Sequence, residues 1–358
     1  MDLSRILLQA WARRGPLACL LLPFSGIFAT LAALRRYAYR RGWLQSERLP
    51  VPVVVVGNII VGGSGKTPLT LWLAEALRHS GFKPGIVSRG YAAAASDDSR
   101  RVREVHVGSA ASEVGDEPLL LKRRSGLPLF VGRDRVAAAR ALLAAYPDCN
   151  LILSDDGLQH DRLARDVEIA VVDGRGVMNG WLLPAGPLRE SSRRLASVDA
   201  LVLNGETTQL PAAAQGVPAF RMRLFGAAFQ RLDDPAQTCA PVELAGLKLA
   251  AVCGIAVPER FFAHLTGLGL QFSQHVFADH HRFSAADLVA IDADALLLTE
   301  KDAVKCGALA FTARPVWVLP VTAQLESLPA AINVSDARDL AAYIAHCLVE
   351  KPLGRPTA

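Results

Sequence analysis

Nothing in this chain is spaced to grip a metal through cysteine. Its cysteines stand alone at 19, 149, 239, 253, 306 and 347. None forms a C-x-x-C pair, and no metal-ligand spacing appears. They read as reduced, mostly buried thiols of a cytosolic environment. Charge is scarce too. Charged residues make up 20% of the chain against 51% hydrophobic, with a net charge of only +5. That positive charge is concentrated. Arginines 5, 13, 14, 35, 36, 40 and 41 face only Asp2 and Glu47 in the first 47 residues, which leaves the remainder near neutral. A near-neutral body argues against a nucleic-acid partner, and a basic, apolar start suits an anionic membrane surface. Internal repeats are missing, as are low-complexity tracts beyond alanine richness. The 358 residues leave room for two domains with cores of their own.

Gly15 to Leu34 is an uncharged run bracketed by Arg13-Arg14 and Arg35-Arg36. Its length permits a spanning helix. Pro16, Pro23 and the arginines at both ends weaken that reading, because orientation by positive charge needs an asymmetry. A signal peptide would carry the chain away from ATP. A helix packed on the core is the plain alternative. The favoured expectation is a helix lying in or dipping into the inner leaflet, with arginines at the headgroups.

The most informative stretch is Val53 to Pro68. A run of β-branched residues stops at glycines, and Gly65-Lys66-Thr67 opens the next segment. That is how a buried parallel strand feeds a phosphate-cradling loop and then a helix. Glycines let backbone N–H groups turn inward, and the helix N-terminus adds partial positive charge. The nucleotide-binding residues expected are Gly62, Gly63, Ser64, Gly65, Lys66, Thr67 and Pro68. Lys66 would reach the β- and γ-phosphates of ATP, and the Thr67 hydroxyl would hold Mg²⁺. The usual pattern has a glycine where Ile60 stands. The tight Gly-Gly-x-Gly-Lys-Thr form resembles the loops of partition-type ATPases, which carry a lysine where Val61 stands.

Strand-then-helix units continue along the chain. Strands are expected at Gly85–Ser88, Leu129–Val131, Leu151–Leu153, Ile169–Val172 and Ala200–Leu203, with helices after the glycine loop and near Asp134–Ala145. Ala92–Arg103 reads as a mobile loop. Functional residues at strand C-termini mean an α/β fold with a P-loop NTPase-like parallel sheet and helices on both faces. A second, smaller α/β domain is expected from strands at Leu249–Cys253, Ala295–Leu298 and Val316–Leu319, a helix from about Pro258, and a closing helix at Asp336–Val349. Phe220–Phe229 reads as a linker strand. The expected division is 1–48 for a membrane-contacting segment, 49–217 for the P-loop domain, and 218–358 for the C-terminal domain with its linker strands.

Asp155 and Asp156 follow an apolar strand, where an acid that holds Mg²⁺ belongs. Gly115-Asp116-Glu117-Pro118 places two acids in a loop. One such carboxylate can accept the proton of an attacking hydroxyl, and another can join a metal shell. Asp279-His280-His281 lies far along the chain between aromatics, and a histidine there could orient Asp116. A zinc site is the rival, but no well-spaced third ligand is present. Arg189 ends a Gly/Pro-rich loop and could bind a phosphate. Thr299-Glu300-Lys301-Asp302 follows a strand and reads equally as a helix cap.

Together these strings resemble the tetraacyldisaccharide 4′-kinase family, the lipid A 4′-kinases of Gram-negative bacteria. The resemblance rests on Val56-Gly57-Asn58, Val61 to Pro68, Ser88-Arg89-Gly90-Tyr91, Val114 to Pro118, Asp155 to His160, Leu183 to Glu190, Asp279-His280-His281 and Thr299 to Asp302, in that order. It implies two α/β/α domains joined by a short β linker, at the cytoplasmic face of the inner membrane. It implies ATP-dependent phosphorylation of the 4′-hydroxyl of a tetraacyl glucosamine disaccharide 1-phosphate, giving lipid IVA, with no obligate protein partner inferred. Lys66 and Thr67 match the nucleotide and Mg²⁺ residues, Asp116 the catalytic base and His280 its partner, with His281 as rival. Glu117 and Asp155 look like metal-shell acids. The competing class is a membrane-bound switch ATPase of the partition type. Val61 in place of its cross-dimer lysine argues against it.

Overall fold

In a computed structural model the described residues are 3–90, 101–206, 208–306, 314–328 and 339–350. The expected loop at 92–100, Tyr91 and the first residues of the Asp336–Val349 helix lie outside them. The apolar start forms three helices, α1 (Leu3–Ala12), α2 (Pro16–Leu20) and α3 (Leu22–Arg40). Prolines explain the breaks, since each occupies the first turn of α2 or α3, where no N–H partner is lost. Among the described residues no helix is long and apolar enough to cross a membrane.

The four valines of β1 (Val53–Gly57) are buried on both faces, as a central parallel strand requires. Gly65 ends the following loop at φ +97°, a conformation open to glycine, and α4 (Lys66–His79) starts there. Next come β2 (Pro84–Ser88), β3 (Arg103–Glu104), the short α5 (Ala111–Val114), α6 (Asp116–Ser125), β4 (Leu129–Val131) and α7 (Arg135–Ala145). Asp134 caps α7 by accepting from the Val136 and Ala137 N–H groups, a cap worth about 1 kcal/mol. Four more strands complete the run: β5 (Leu151–Asp155), β6 (Val167–Asp173), β7 (Ala200–Asn204) and β8 (Ala219–Phe225).

The chain then leaves this sheet. It builds β9 (Phe229–Arg231), β10 (Thr238–Cys239), β11 (Leu249–Cys253), α8 (Pro258–Gly267), β12 (Phe272–Val276), α9 (Ala285–Val289), β13 (Ala295–Thr299), α10 (Glu300–Cys306) and β14 (Val316–Leu319). It returns as β15 (Thr322–Ser327) and closes with α11 (Leu340–Glu350).

The first sheet has nine strands in the order β15-β8-β7-β6-β1-β5-β2-β4-β3, parallel throughout except for its two edge strands. Leu69, Leu73 and Leu77 of α4, Leu119 and Leu121 of α6 and Ile344 of α11 pack on one face. Val136 and Leu142 of α7 pack on the other. The second sheet has six strands in the order β10-β9-β14-β13-β11-β12. The expected fold class is therefore observed.

The expected linker strand Phe220–Phe229 is two strands in two different sheets, β8 and β9. Gly226 lies between them, and a Cβ there would come within 2.6 Å of the Pro320 carbonyl oxygen. The outgoing and returning crossings therefore run side by side at glycine-only distance. Strand β15 pairs with β8, and Tyr343 of α11 packs on Phe220 of β8. Residues 218–358 thus contribute to both sheets, with the segment between the two crossings building the second one.

Candidate active site

Phosphate-cradling loops need glycine only where the backbone turns left-handed, and here Gly62 and Gly65 do so. The loop is braced from several sides. Asn204 Nδ2 donates to the Ser64 carbonyl at 2.8 Å, and Arg175 donates to the Val61 and Gly63 carbonyls at 3.3 and 3.0 Å. Arg175 is held by Asp173 at the end of β6, which also pairs with Arg260 of α8 at 3.1 Å. The second unit is therefore linked to the phosphate loop through Asp173 and Arg175. At Ile60, where the usual pattern has a glycine, the chain bridges to Leu188 and is buried. A side chain is tolerated there because the loop's first turn is packed rather than open.

Lys66 is buried at the start of α4. Its Nζ lies 3.3 Å from Asn58 Oδ1 and 3.5 Å from Asp156 Oδ1. Asn58 thus turns out to orient the lysine, and its place directly after the β1 glycine is the signal that could have marked it. Asp155 ends β5, fully buried, accepting from Thr70 Oγ1 at 3.4 Å and Ser88 Oγ at 3.2 Å. Burial, with the charges of Glu117 and Asp156 behind it, pushes the Asp155 carboxyl up to about 7. Burial would also raise Asp156, but Lys66 and Arg189 outweigh it and hold it at about 2. Arg189 therefore engages Asp156, at 3.0 Å, rather than standing open for a phosphate.

Asp116 and Glu117 do not lie in a loop, as expected, but open helix α6. Pro118 fits that first turn, and two acids complement the positive helix end. Burial would raise the Asp116 carboxyl, but its hydrogen bond with His280 and the charge of Lys301 win and hold it at about 2. His280 Nδ1 stands 2.9 Å from Asp116 Oδ2. With Asp116 ionised, that nitrogen carries the proton and donates. The bond to Asp116 raises the His280 pKa. His280 adopts φ +60°, which turns its ring away from its neighbour. His281 faces elsewhere, 3.2 Å from Asp287 and stacked on Phe277. The two histidines that sequence left open are thus separated by geometry, and only His280 reaches Asp116.

Lys301 is the site residue that sequence reasoning left without a role. Its Nζ meets Glu117 Oε1 at 2.9 Å and Asp279 Oδ1 at 3.6 Å, tying α10 to α6 and to the histidine loop. Burial would lower its pKa, but Glu117 and Asp279 raise it above the ordinary lysine value. Thr299 and Asp302 of the same string do cap α10, by mutual hydrogen bonds of 2.6 and 3.2 Å.

Some of these groups line a cleft of about 430 Å³ between the two sheets. Gly63 to Pro68 of the phosphate loop, Glu117 and Lys301 line it, together with the apolar Leu224, Ile255 and Phe261. Among the described residues no three carboxylate, histidine or cysteine groups stand close enough to cage a metal ion. Mg²⁺ rarely uses such cages, and prefers one or two carboxylates plus phosphates and water. Asp155 fits that donor set, because a divalent cation would offset the burial and the like charges that keep it partly protonated.

Comparison with known proteins gives a consistent picture. A family model described as tetraacyldisaccharide-1-P 4′-kinase matches residues 17–335. The tetraacyldisaccharide 4′-kinase of Azoarcus sp. strain BH72 is 52% identical over 317 residues, covering 88% of this chain and 91% of that one. That of Dechloromonas aromatica strain RCB is 50% identical and covers 99% of this chain and all of its own. The crystal structure titled the "apo" form of LpxK from Aquifex aeolicus in complex with ATP superposes with a TM-score of 0.74 at 28% identity, over 92% of this chain and 99% of that one.

Proposed function

The chain belongs to the tetraacyldisaccharide-1-phosphate 4′-kinase family, and from that premise we propose how its residues carry out the transfer. The reaction moves the γ-phosphoryl group of ATP to the 4′-hydroxyl of a tetraacyldisaccharide 1-phosphate, a lipid A precursor. An alcohol is a weak nucleophile until its proton leaves. The Asp116 carboxylate accepts that proton, the freed oxygen bonds to the γ-phosphorus, and the bond to the departing ADP breaks. His280 keeps Asp116 ionised and fixed. It also spreads the arriving positive charge as the carboxylate is consumed. Lys66 and the loop from Gly62 to Pro68 hold the phosphates. Thr67, Glu117 and Asp155 are the residues that would hold Mg²⁺, which when bound neutralises charge on the transferred group. Lys301 keeps Glu117 ionised and aimed at the same space.

The observation that carries this reading is the Asp116–His280 hydrogen bond, made by the residue directly before Glu117, which lines the phosphate-loop cleft. A water-attacking switch ATPase needs no such pair. The substrate's acyl chains keep it in the bilayer, at about 0.8 kcal/mol per buried CH₂. The enzyme must therefore reach the membrane, and the N-terminal helices offer a surface for it. Leu20, Phe24, Ile27, Leu31 and Leu34 are all exposed at helical spacing along one side. We place this face on the cytoplasmic leaflet of the inner membrane as a surface-seated anchor.

Transfer of γ-³²P from ATP to purified tetraacyldisaccharide 1-phosphate in mixed micelles tests the proposal. Wild type should label the lipid and Lys66→Ala should not. ATP hydrolysis stimulated by vesicles, with no labelled lipid, would instead support the switch ATPase.

A further inference from the structure

Helix α3 has two faces with different tasks. Its exposed face is apolar. On the opposite side stand Ser25 and Arg36, eleven positions or about three turns apart. Ser25 Oγ donates to the Leu182 carbonyl at 2.8 Å and accepts from the Ala185 N–H at 2.9 Å. Arg36 pairs with Glu190, whose side chain is only 6% exposed. This inward stripe is thus fixed to the Leu182–Glu190 loop.

The contacts continue inward without a gap. Gln159 Nε2 donates to Glu190 Oε1 at 2.7 Å and to the Asn58 carbonyl at 3.0 Å. Arg189 Nη1 donates to Gln159 Oε1 at 3.3 Å and to Asp156 at 3.0 and 3.1 Å. Asn58 and Asp156 are the two groups that hold Lys66. A single line of charged and amide groups therefore joins the membrane-facing helix to the phosphate-binding lysine.

We propose that Glu190 is a positioning residue that couples the seating of α3 on a lipid surface to the nucleotide site through the Arg36–Glu190–Gln159 relay. The proposal rests on the membrane reading given above. Seating α3 fixes Arg36, and through Glu190 and Gln159 it fixes Asn58 and Asp156 around Lys66. A lysine already ordered loses less freedom when a triphosphate arrives, so a lipid surface tightens nucleotide binding. By reciprocity, nucleotide tightens binding to the lipid surface by the same factor.

The test uses the full chain, fluorescent methylanthraniloyl-ATP, and vesicles of phosphatidylglycerol and phosphatidylethanolamine, with no acceptor lipid. Vesicle flotation is scored in parallel. Saturating vesicles should lower the nucleotide Kd of wild type by about fivefold, the low end of usual site-to-site coupling. Arg36→Ala and Glu190→Gln should still float but lose that shift. Truncating Arg36 leaves Glu190 with Arg194 at 3.6 Å, so the loop keeps a charged partner. Arg41→Ala removes the same charge, but Arg41 contacts Tyr37 within α3, so the shift should remain. Wild type that floats with an unchanged nucleotide Kd would overturn the coupling and leave the membrane reading intact. A shift retained in Arg36→Ala would also overturn the coupling. Failure of wild type to float would overturn both.

Discussion

Replacing Gly65 by alanine tests the phosphate loop at its tightest point. Gly65 has φ +97°, and an added Cβ would meet Asn204 Nδ2 at 2.3 Å and Met222 Cε at 3.0 Å. The left-handed backbone alone costs a non-glycine residue about 1–2 kcal/mol. The methionine can shift, but Asn204 must move, and its bond to the Ser64 carbonyl breaks. A lost hydrogen bond of that kind adds about 1 kcal/mol. The total is about 2–3 kcal/mol, concentrated in the loop, since β1 and α4 keep their packing. Nucleotide must restore the loop, so affinity should fall roughly 30- to 150-fold. Equilibrium binding of ATP, with thermal unfolding alongside, measures both parts. Gly63→Ala is the comparison, because a Cβ there meets nothing closer than Ala256 Cβ at 3.9 Å. It should be at least about tenfold milder. An ATP affinity for Gly65→Ala within threefold of wild type, with the protein folded, would refute the reasoning.

Three further outcomes follow from the same geometry. His280→Ala removes a charge-assisted bond worth about 1.5–3 kcal/mol. It should lower kcat roughly 10- to 150-fold while ATP affinity holds; His281→Ala, whose ring faces Asp287, should lower kcat far less. Lys301→Met leaves Glu117 without its partner at 2.9 Å and should weaken Mg²⁺-dependent nucleotide binding in calorimetry. The stability contributed by the Asp116–His280 pair depends on pH with a definite sign. Asp116 is depressed from 3.8 to about 2, so its share is present above about 4 and lost as pH falls through about 2. His280 is raised, so its share is present below 6.5 and lost as pH rises through its raised value. The stability gap between wild type and His280→Ala in urea should therefore be larger at pH 6 than at pH 9.

The strand runs and the glycine loop were legible because their causes are local. β-Branched runs and glycines at left-handed turns each leave a mark within a few residues. The return of β15 to the first sheet was not legible, because its partner β8 lies about a hundred positions away and both are short amphipathic strands. The break inside Phe220–Phe229 is hidden for the same reason: Gly226 lies where a Cβ would come within 2.6 Å of the Pro320 carbonyl oxygen, an approach no local pattern announces. Asp116 and Glu117 read as a loop in sequence, with Pro118 fixing its shape, yet proline is equally at home in a helix's first turn. The pairing of Asp116 with His280 spans 164 positions and joins two sheets. The resemblance to the kinase family, rather than any spacing, named His280 first. Lys301 lies in the Thr299–Asp302 string of that resemblance but carried no role, because a lysine after a strand is common and only the fold brings it to Glu117.

The most direct test of the central claim is Asp116→Ala, assayed for both lipid phosphorylation and ATP affinity. A general base contributes about 10²- to 10⁴-fold, so turnover should fall by that much. ATP affinity should stay within threefold of wild type. Loss of nucleotide binding would instead move Asp116 into the metal shell, and undiminished turnover would contradict its role as base outright.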